Sequence, residues 1–294
     1  MELSEASFSF AFEGESFSIP CRDETLTGCK WVALDLPPEF IVVYVHDIGC
    51  FGSIDHDVFD VLTSHGAIVY ACDHLGHGRS KGKILYLSIS DIVDETLKVI
   101  DLAKSENNNL PLFLFGINAG ALSIISLMLR EKEKLKKSVN GIILESPWIC
   151  SWQKVQPGLY TTVFLMLLNS IAPSLIYDPG VSYLSDTPLY FEATCNRCSL
   201  YMPYMTPHFY LSAMDEITKC RQNIQDLPSI PTLFAFGEKD SFLNPKQLEV
   251  FKSQIANISK MTVNNYDGGH WITKGNARPQ FLQDFLVFVQ KHRK

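Results

Sequence analysis

The stretch LFLFGINAGALSII, residues 112–125, carries an apolar run into a helical pattern through Gly116-Ile117-Asn118-Ala119-Gly120. Glycines two before and two after the tip let the chain bend sharply and let strand and helix approach closely. The tip is then held above the strand ends in a strained conformation, where a nucleophile usually stands. Here the tip is Asn118, which tolerates positive φ but whose amide nitrogen has a delocalised lone pair and cannot attack. Two more groups stand just past later apolar runs: Asp240 in FGEKDSFLNP and His270 in YDGGHWITKG. Such a carboxylate orients an imidazole, and the imidazole takes a proton from the tip. The pattern therefore supplies a base and its orienting acid but no attacking oxygen. Ser123 and Ser126 lie five and eight residues past the tip, on the following helix, and do not reach it. Cys195 and Cys198 have zinc-like spacing with His208 downstream. No second pair completes four ligands, so neither a metal nor any other cofactor is expected.

Apolar runs at 40–46, 67–73, 110–116, 139–146, 231–237 and 260–266 read as strands. Helical patterns fall between and after them, at 53–66, 88–105, 119–131, 245–256 and 279–293. Ser53 and Gly66 are the expected start and stop of the first helix, and Ser88 with Asp91 forms a capping box on the second. Unbroken Val/Ile/Leu/Phe runs mean strands covered on both faces, and alternation with helices implies a mostly parallel, doubly wound α/β sheet. Ligand and catalytic groups of such sheets gather at the C-terminal strand ends, where Asn118, Asp240 and His270 are placed. The first 35 residues read as antiparallel edge strands with Gly14 and Gly28 as turns. The rhythm breaks between Pro147 and Pro228, in a proline- and aromatic-rich stretch with no clear strand. The expected division is a core of 1–147 and 229–294 with an inserted helical cap at 148–228.

With the order tip, Asp, His established, the chain resembles the monoacylglycerol lipase and lysophospholipase branch of the serine α/β-hydrolases, often labelled serine aminopeptidase-like. The strongest mark is ACDHLGHGRSKG (71–82), which matches the pattern D-x-x-G-H-G-x-S through Asp73, Gly76, His77, Gly78 and Ser80. YVHDIG (44–49) stands where that branch has H-G-x-G, FGINAG where it has G-H-S-x-G, and ESPWI where its cap begins. The resemblance implies the α/β-hydrolase fold and hydrolysis of long-chain acyl esters by a Ser-Asp-His triad. It puts Asn118 at the nucleophile position, with Asp240 and His270 as its partners. The backbone N–H groups of Ile48 and Ala119 take the place of the oxyanion hole, and Gly116 and Gly120 are the elbow glycines. A cap of this kind lines an apolar acyl tunnel and docks on lipid. Trp148, Trp152, Phe164, Met166 and Tyr177 are candidates either for lining that tunnel or for plain packing within the cap. His46 and His77 read as structural, hydrogen-bonding loops.

The departures cluster at the chemistry. The nucleophilic Ser is Asn118, the His before it is Ile117, and the Gly after His46 is Asp47. A carboxylate on Asp47 near the oxyanion hole repels the charge that the hole should stabilise. One lost oxyanion donor costs about 2.7–4 kcal/mol, and a nearby carboxylate hurts comparably.

Composition narrows the rest. The chain of 294 residues is 46% hydrophobic and 19% charged, which is globular rather than disordered. Its net charge of −7 comes with no basic run and no aromatic-plus-basic stripe, so nucleic acid is not an expected partner. The opening MELSEASFSFAFEGESF has no positive n-region and no long apolar h-region, so a cytoplasmic location is expected, with peripheral membrane contact through the cap. The eight cysteines read as reduced, space-filling thiols. The run 160–177 is broken by Asn169, Ser170 and Pro173 and is too interrupted to span a bilayer.

Three functions remain open on the sequence. The first is a catalytically impaired homologue that binds a lipid-like ester or acyl ligand, or a protein partner. The second is an active carboxylic-ester hydrolase whose Ser is replaced in this particular chain. The third is deamidation of Asn118 to a nucleophilic Asp, which the following Ala119 disfavours.

Overall fold

The computed structural model describes residues 14–152, 159–180 and 187–293. Its strands are β1 (Glu15–Cys21), β2 (Glu24–Val32), β3 (Phe40–Val45), β4 (Ala67–Asp73), β5 (Leu112–Ile117), β6 (Gly141–Glu145), β7 (Thr232–Gly237) and β8 (Met261–Tyr266). They form one sheet in the order β1-β2-β4-β3-β5-β6-β7-β8. The β1–β2 and β2–β4 pairs are antiparallel, and the pairs from β4–β3 to β7–β8 are parallel.

Both faces of the central strands are buried, and alternate residues feed two cores. Ile41, Val43 and Val45 of β3 pack in one cluster with Leu112 and Leu114 of β5. Phe40, Val42 and Tyr44 join Phe113 and Phe115 in the other. The first face is covered by α2 (Ile89–Glu106) and α3 (Ala119–Arg130), and the second by α1 (His56–Thr63) and α9 (Arg278–His292). The doubly wound α/β architecture follows from this period-two alternation of unbroken apolar runs. Helix α2 begins at Ser88, whose side chain accepts from Asp91 N while the Asp91 side chain accepts from Ser88 N, as the capping-box spacing requires.

Two local expectations are corrected. Ser53 does not cap a helix. It lies inside a 3-10 turn, Gly52–Asp55, and α1 starts at His56 behind Asp55. Gly28 is no turn: it lies within β2, paired with Phe17 and Cys72. A Cβ there would come within 2.4 Å of the Phe17 ring, so close packing rather than a bend calls for glycine. The chain turns instead at Arg22, with φ 56°. A short helix α4 (Lys132–Ser138) follows α3, where the sequence pattern marked only a connection.

Between β6 and β7 come α5 (Leu159–Ile171), α6 (Leu189–Arg197) and α7 (Pro207–Gln222). This segment adds no strand to the sheet among the described residues; its extended contacts are single bridges, Trp152 with Leu243 and Tyr177 with Met205. It is tied to the β3 loop by a hydrogen bond from Met202 N to Gly49 O, 2.8 Å. Helix α8 (Pro245–Ile255) lies between β7 and β8.

Candidate active site

Because β3, β5 and β6 are parallel neighbours, residues just beyond their C-terminal ends meet. Val45 is in register with Gly116, and Ile117 with Glu145. Asn118 follows directly, with φ 46° and ψ −107°, fully buried, at the N-terminus of α3. The bend is enforced by close approach. A Cβ on Gly120 would lie 2.2 Å from Val45 O, and one on Gly116 2.6 Å from Ile124 Cδ1. The backbone is locked on both sides of the tip: Asn118 N donates to Glu145 O at 3.1 Å, and Asn118 O accepts from Leu122 N and Trp148 N.

Asp240, beyond β7, and His270, beyond β8, are joined by a 2.8 Å contact from Oδ2 to Nδ1. Asp240 is held in place by accepting from Phe242 N at 2.7 Å and Leu243 N at 3.1 Å. His270 O accepts from Ser146 Oγ at 2.6 Å, which draws the β8 loop across to the end of β6. Ser146 itself has φ 43°, the second positive-φ residue at this rim. Burial by itself lowers the His270 pKa, but the carboxylate of Asp240, helped by Asp47 and Glu145, outweighs it and raises it. Burial raises the Asp240 pKa, and the imidazole overcomes that and holds it low.

The two N–H groups that the sequence resemblance marks for an oxyanion hole, those of Ile48 and Ala119, already have an acceptor. Asp47 Oδ1 accepts from Ile48 N at 2.8 Å and from Ala119 N at 3.1 Å. Asp47 Oδ2 accepts from Asn118 Nδ2 at 2.9 Å. One carboxylate thus takes three N–H donors. A repelling charge nearby was the sequence-based expectation, and the fold instead seats the charge on the donors themselves. Burial raises the Asp47 pKa to about 6 against the lowering effect of these donors. The contact also fixes the Asn118 amide: turning it over would set oxygen against oxygen. Asn118 Oδ1 and His270 Nε2 are buried and have no hydrogen-bond partner among the described residues.

His46 sets the Asp47 backbone. Its Nε2 accepts from His74 N at 3.0 Å, so Nδ1 carries the proton and donates to Asp47 O at 2.7 Å. Burial pushes the pKa of His46 well down, so the ring is neutral. Asp73 of the ACDHLGHGRSKG motif accepts from Gly52 N at 2.6 Å and Arg79 N at 2.8 Å, so that motif acts as a loop clamp. Sequence reasoning passed over Glu145, Ser146 and Lys274. Glu145 is buried, accepts from Thr273 N and Oγ1, and has its pKa pushed up to about 8 by burial. The signal that marked Asp240, a polar residue just past a buried strand, was present at Glu145 as well. Lys274 is buried between Asp55 and Asp57.

The five aromatic and apolar candidates separate. A cleft of about 590 Å³ lies between α5 and α7, and Trp152 and Met166 line it with Tyr210, Leu211 and Met214. Trp148 is fully buried and stacks on Trp152, ring centroids 4.7 Å apart, so it backs the cleft rather than lining it. Phe164 faces outward at 60% exposure. Tyr177 pairs its backbone with Met205 and is not part of the cleft wall. Cys195 and Cys198 lie at the end of α6; among the described residues no His/Cys/Asp/Glu group of three is arranged to hold a metal.

The pattern of the family described as "Serine aminopeptidase, S33" matches residues 37–272. The chain is 22% identical over 260 residues to the human monoglyceride lipase, covering 83% of this chain and 79% of that one. It is 25% identical over 142 residues to a monoacylglycerol lipase of Mycolicibacterium smegmatis, a match spanning 48% of this chain and 49%, about half, of that protein. Among solved structures it superposes on a soluble variant of the Saccharomyces cerevisiae monoglyceride lipase, in complex with a substrate analogue, with TM-score 0.80 and 18% identity over 95% of each chain. The Paleococcus ferrophilus monoacylglycerol lipase gives TM-score 0.76 at 20% identity, covering 91% of this chain and 99% of that one.

Proposed function

The chain belongs to the serine aminopeptidase, S33, family of α/β-hydrolases, and from that premise we propose that it holds a lipid-like ligand without turning it over. The nucleophile position is Asn118, the base is His270, its orienting acid is Asp240, and the oxyanion hole is Ile48 N with Ala119 N. The observation that carries the reading is Asp47 Oδ1 on both hole donors. Acyl transfer needs an attacking oxygen and donors free to receive the developing charge. This site offers an amide in place of the first and a carboxylate in place of the second.

In this reading residues 148–228 are the cap, and the cleft lined by Trp152, Met166 and Tyr210 takes the apolar part of the ligand. The outer face of α5 supports peripheral contact with a lipid surface: Val163, Phe164, Leu167 and Ile171 are 45–82% exposed on one helix. Among the described residues no helix is long and apolar enough to cross a membrane.

The test is twofold. The unaltered protein should not react with a fluorophosphonate probe and should not cleave p-nitrophenyl esters, yet its melting temperature should rise with single-chain lipids. Ester turnover abolished by His270→Ala would end the reading. A second reading, an active ester hydrolase with only its Ser replaced, draws on the intact 2.8 Å Asp240–His270 contact. It predicts that Asn118→Ser alone restores full turnover.

A further inference from the structure

The ligand-binding reading leaves open which head group enters the site, and this inference rests on it. The atoms left over at the site decide the question. Ile48 N, Ala119 N and Asn118 Nδ2 all donate to Asp47. Asn118 is 0% exposed and His270 is 4% exposed, and among the described residues Asn118 Oδ1 and His270 Nε2 are unpartnered. With the Nδ1 proton directed at Asp240, Nε2 is an acceptor when the imidazole is neutral; against the lowering effect of burial the Asp240 carboxylate raises the His270 pKa, so that form grows as pH rises and alkylamine binding should strengthen with it. Asp47 Oδ2 has a lone pair beyond the one that Asn118 takes. The polarity of a hydrolase cradle is thus inverted: its donors are consumed, and the capacity left over is that of three acceptors, one of them charged.

An ester carbonyl finds the N–H groups of Ile48, Ala119 and the Asn118 amide already taken, and a fatty-acid carboxylate meets Asp47 and Asp240 as like charges. Lys274, a buried cation four residues past His270, is committed to Asp55 and Asp57. A primary ammonium matches on both counts. It carries three N–H donors for three acceptors, and its charge offsets a buried carboxylate; hydrogen bonds between ionised partners are the strong ones. A row of packed rings runs from the same spot to the cleft. The Phe242 ring lies 4.7 Å from the His270 ring, Trp152 lies 5.0 Å from Phe242, and Tyr210 lies 6.2 Å from Trp152. Trp152 and Tyr210 then line the cleft together with Met166 and Met214. The geometry points to a site for a primary alkylamine, its ammonium on Asp47, Asn118 Oδ1 and His270 Nε2 and its tail along the Phe242–Trp152 row.

The experiment is calorimetric titration of the unaltered protein with dodecylamine, 1-dodecanol, dodecanoate, monododecanoylglycerol and dodecyltrimethylammonium, each below its aggregation concentration. Dodecylamine should bind at least tenfold more tightly than every other probe. The quaternary ion has the charge without an N–H, so it separates this site from general attraction to a chain of net charge −7. Asp47→Asn should bring dodecylamine down to the level of dodecanol, because its amide turns the Asn118 amide over and removes two acceptors. Circular dichroism checks that this variant is folded, and the wild-type probe series decides the matter without it. Equal binding of the primary and quaternary ions overturns the inference, as does equal or tighter binding of dodecanoate. Binding of monododecanoylglycerol without dodecylamine overturns it and leaves the ligand-binding reading standing. Binding of no probe overturns both.

Discussion

Placing a serine at the elbow should not by itself give hydrolysis, because on the proposed reading the N–H groups of the oxyanion hole stay occupied by Asp47. Asn118→Ser removes the donor to Asp47 Oδ2 but leaves Oδ1 on Ile48 N and Ala119 N, at 2.8 and 3.1 Å. Each oxyanion donor is worth about 2.7–4 kcal/mol to the transition state, roughly 10²–10³ in rate. With both donors held by a carboxylate the deficit is about 5–8 kcal/mol, or roughly 10⁴–10⁶, before charge repulsion is added. The double variant Asn118→Ser/Asp47→Gly should therefore hydrolyse p-nitrophenyl butyrate at least about 10⁴-fold faster than Asn118→Ser, which should barely exceed the blank. Fluorophosphonate labelling should follow the same order. Asp47→Gly alone serves as the control with a cleared hole and no nucleophile, and His270→Ala in the double variant should remove the gain. If Asn118→Ser alone reaches the rate of the double variant, Asp47 does not block the hole and the reasoning fails.

Stability should also report on Asp47. Its folded pKa of about 6 lies above the ordinary 3.8, so the folded state holds the proton more tightly. The stabilisation this gives is complete below about pH 4 and is lost as pH rises through 6, about 3 kcal/mol over the two-unit shift. Urea melts at pH 4 and pH 7 should show Asp47→Asn gaining about that much on the wild type, and a constant difference would contradict the buried, ionised carboxylate. Lys274→Met leaves Asp55 and Asp57 without their shared cation and should cost about 3–5 kcal/mol in the same assay at pH 7. Gly120→Ala places a methyl 2.2 Å from Val45 O, where backbone cannot yield, and should cost at least about 1–3 kcal/mol; a neutral result would mean the elbow is looser than described. Phe164→Ser/Leu167→Ser, at positions 60% and 63% exposed, should weaken co-sedimentation with lipid vesicles several-fold while leaving the melting temperature in place.

The chain by itself determined the layered α/β plan, because strands buried on both faces require unbroken apolar runs, and here short runs of that kind alternate with helical patterns. It also determined the elbow at Gly116–Gly120, the order Asn118, Asp240, His270, and the suspicion attached to Asp47, since each is a residue type at a strand end. Gly28 was misread because a glycine demanded by a neighbouring ring looks, in one dimension, like a glycine demanded by a turn. Which candidate aromatics face the cleft was also beyond one-dimensional reading: α5 has no strong apolar stripe, and its packing against α7 separates Met166 from Phe164. Only the tertiary structure decided what Asp47 does. Its partners Asn118 and Ala119 are 71 and 72 residues away, and they meet it because β3 and β5 lie side by side with Val45 level with Gly116. A carboxylate's charge is local, but whether it repels, pairs or occupies a hole depends on donors that parallel strand pairing brings to it.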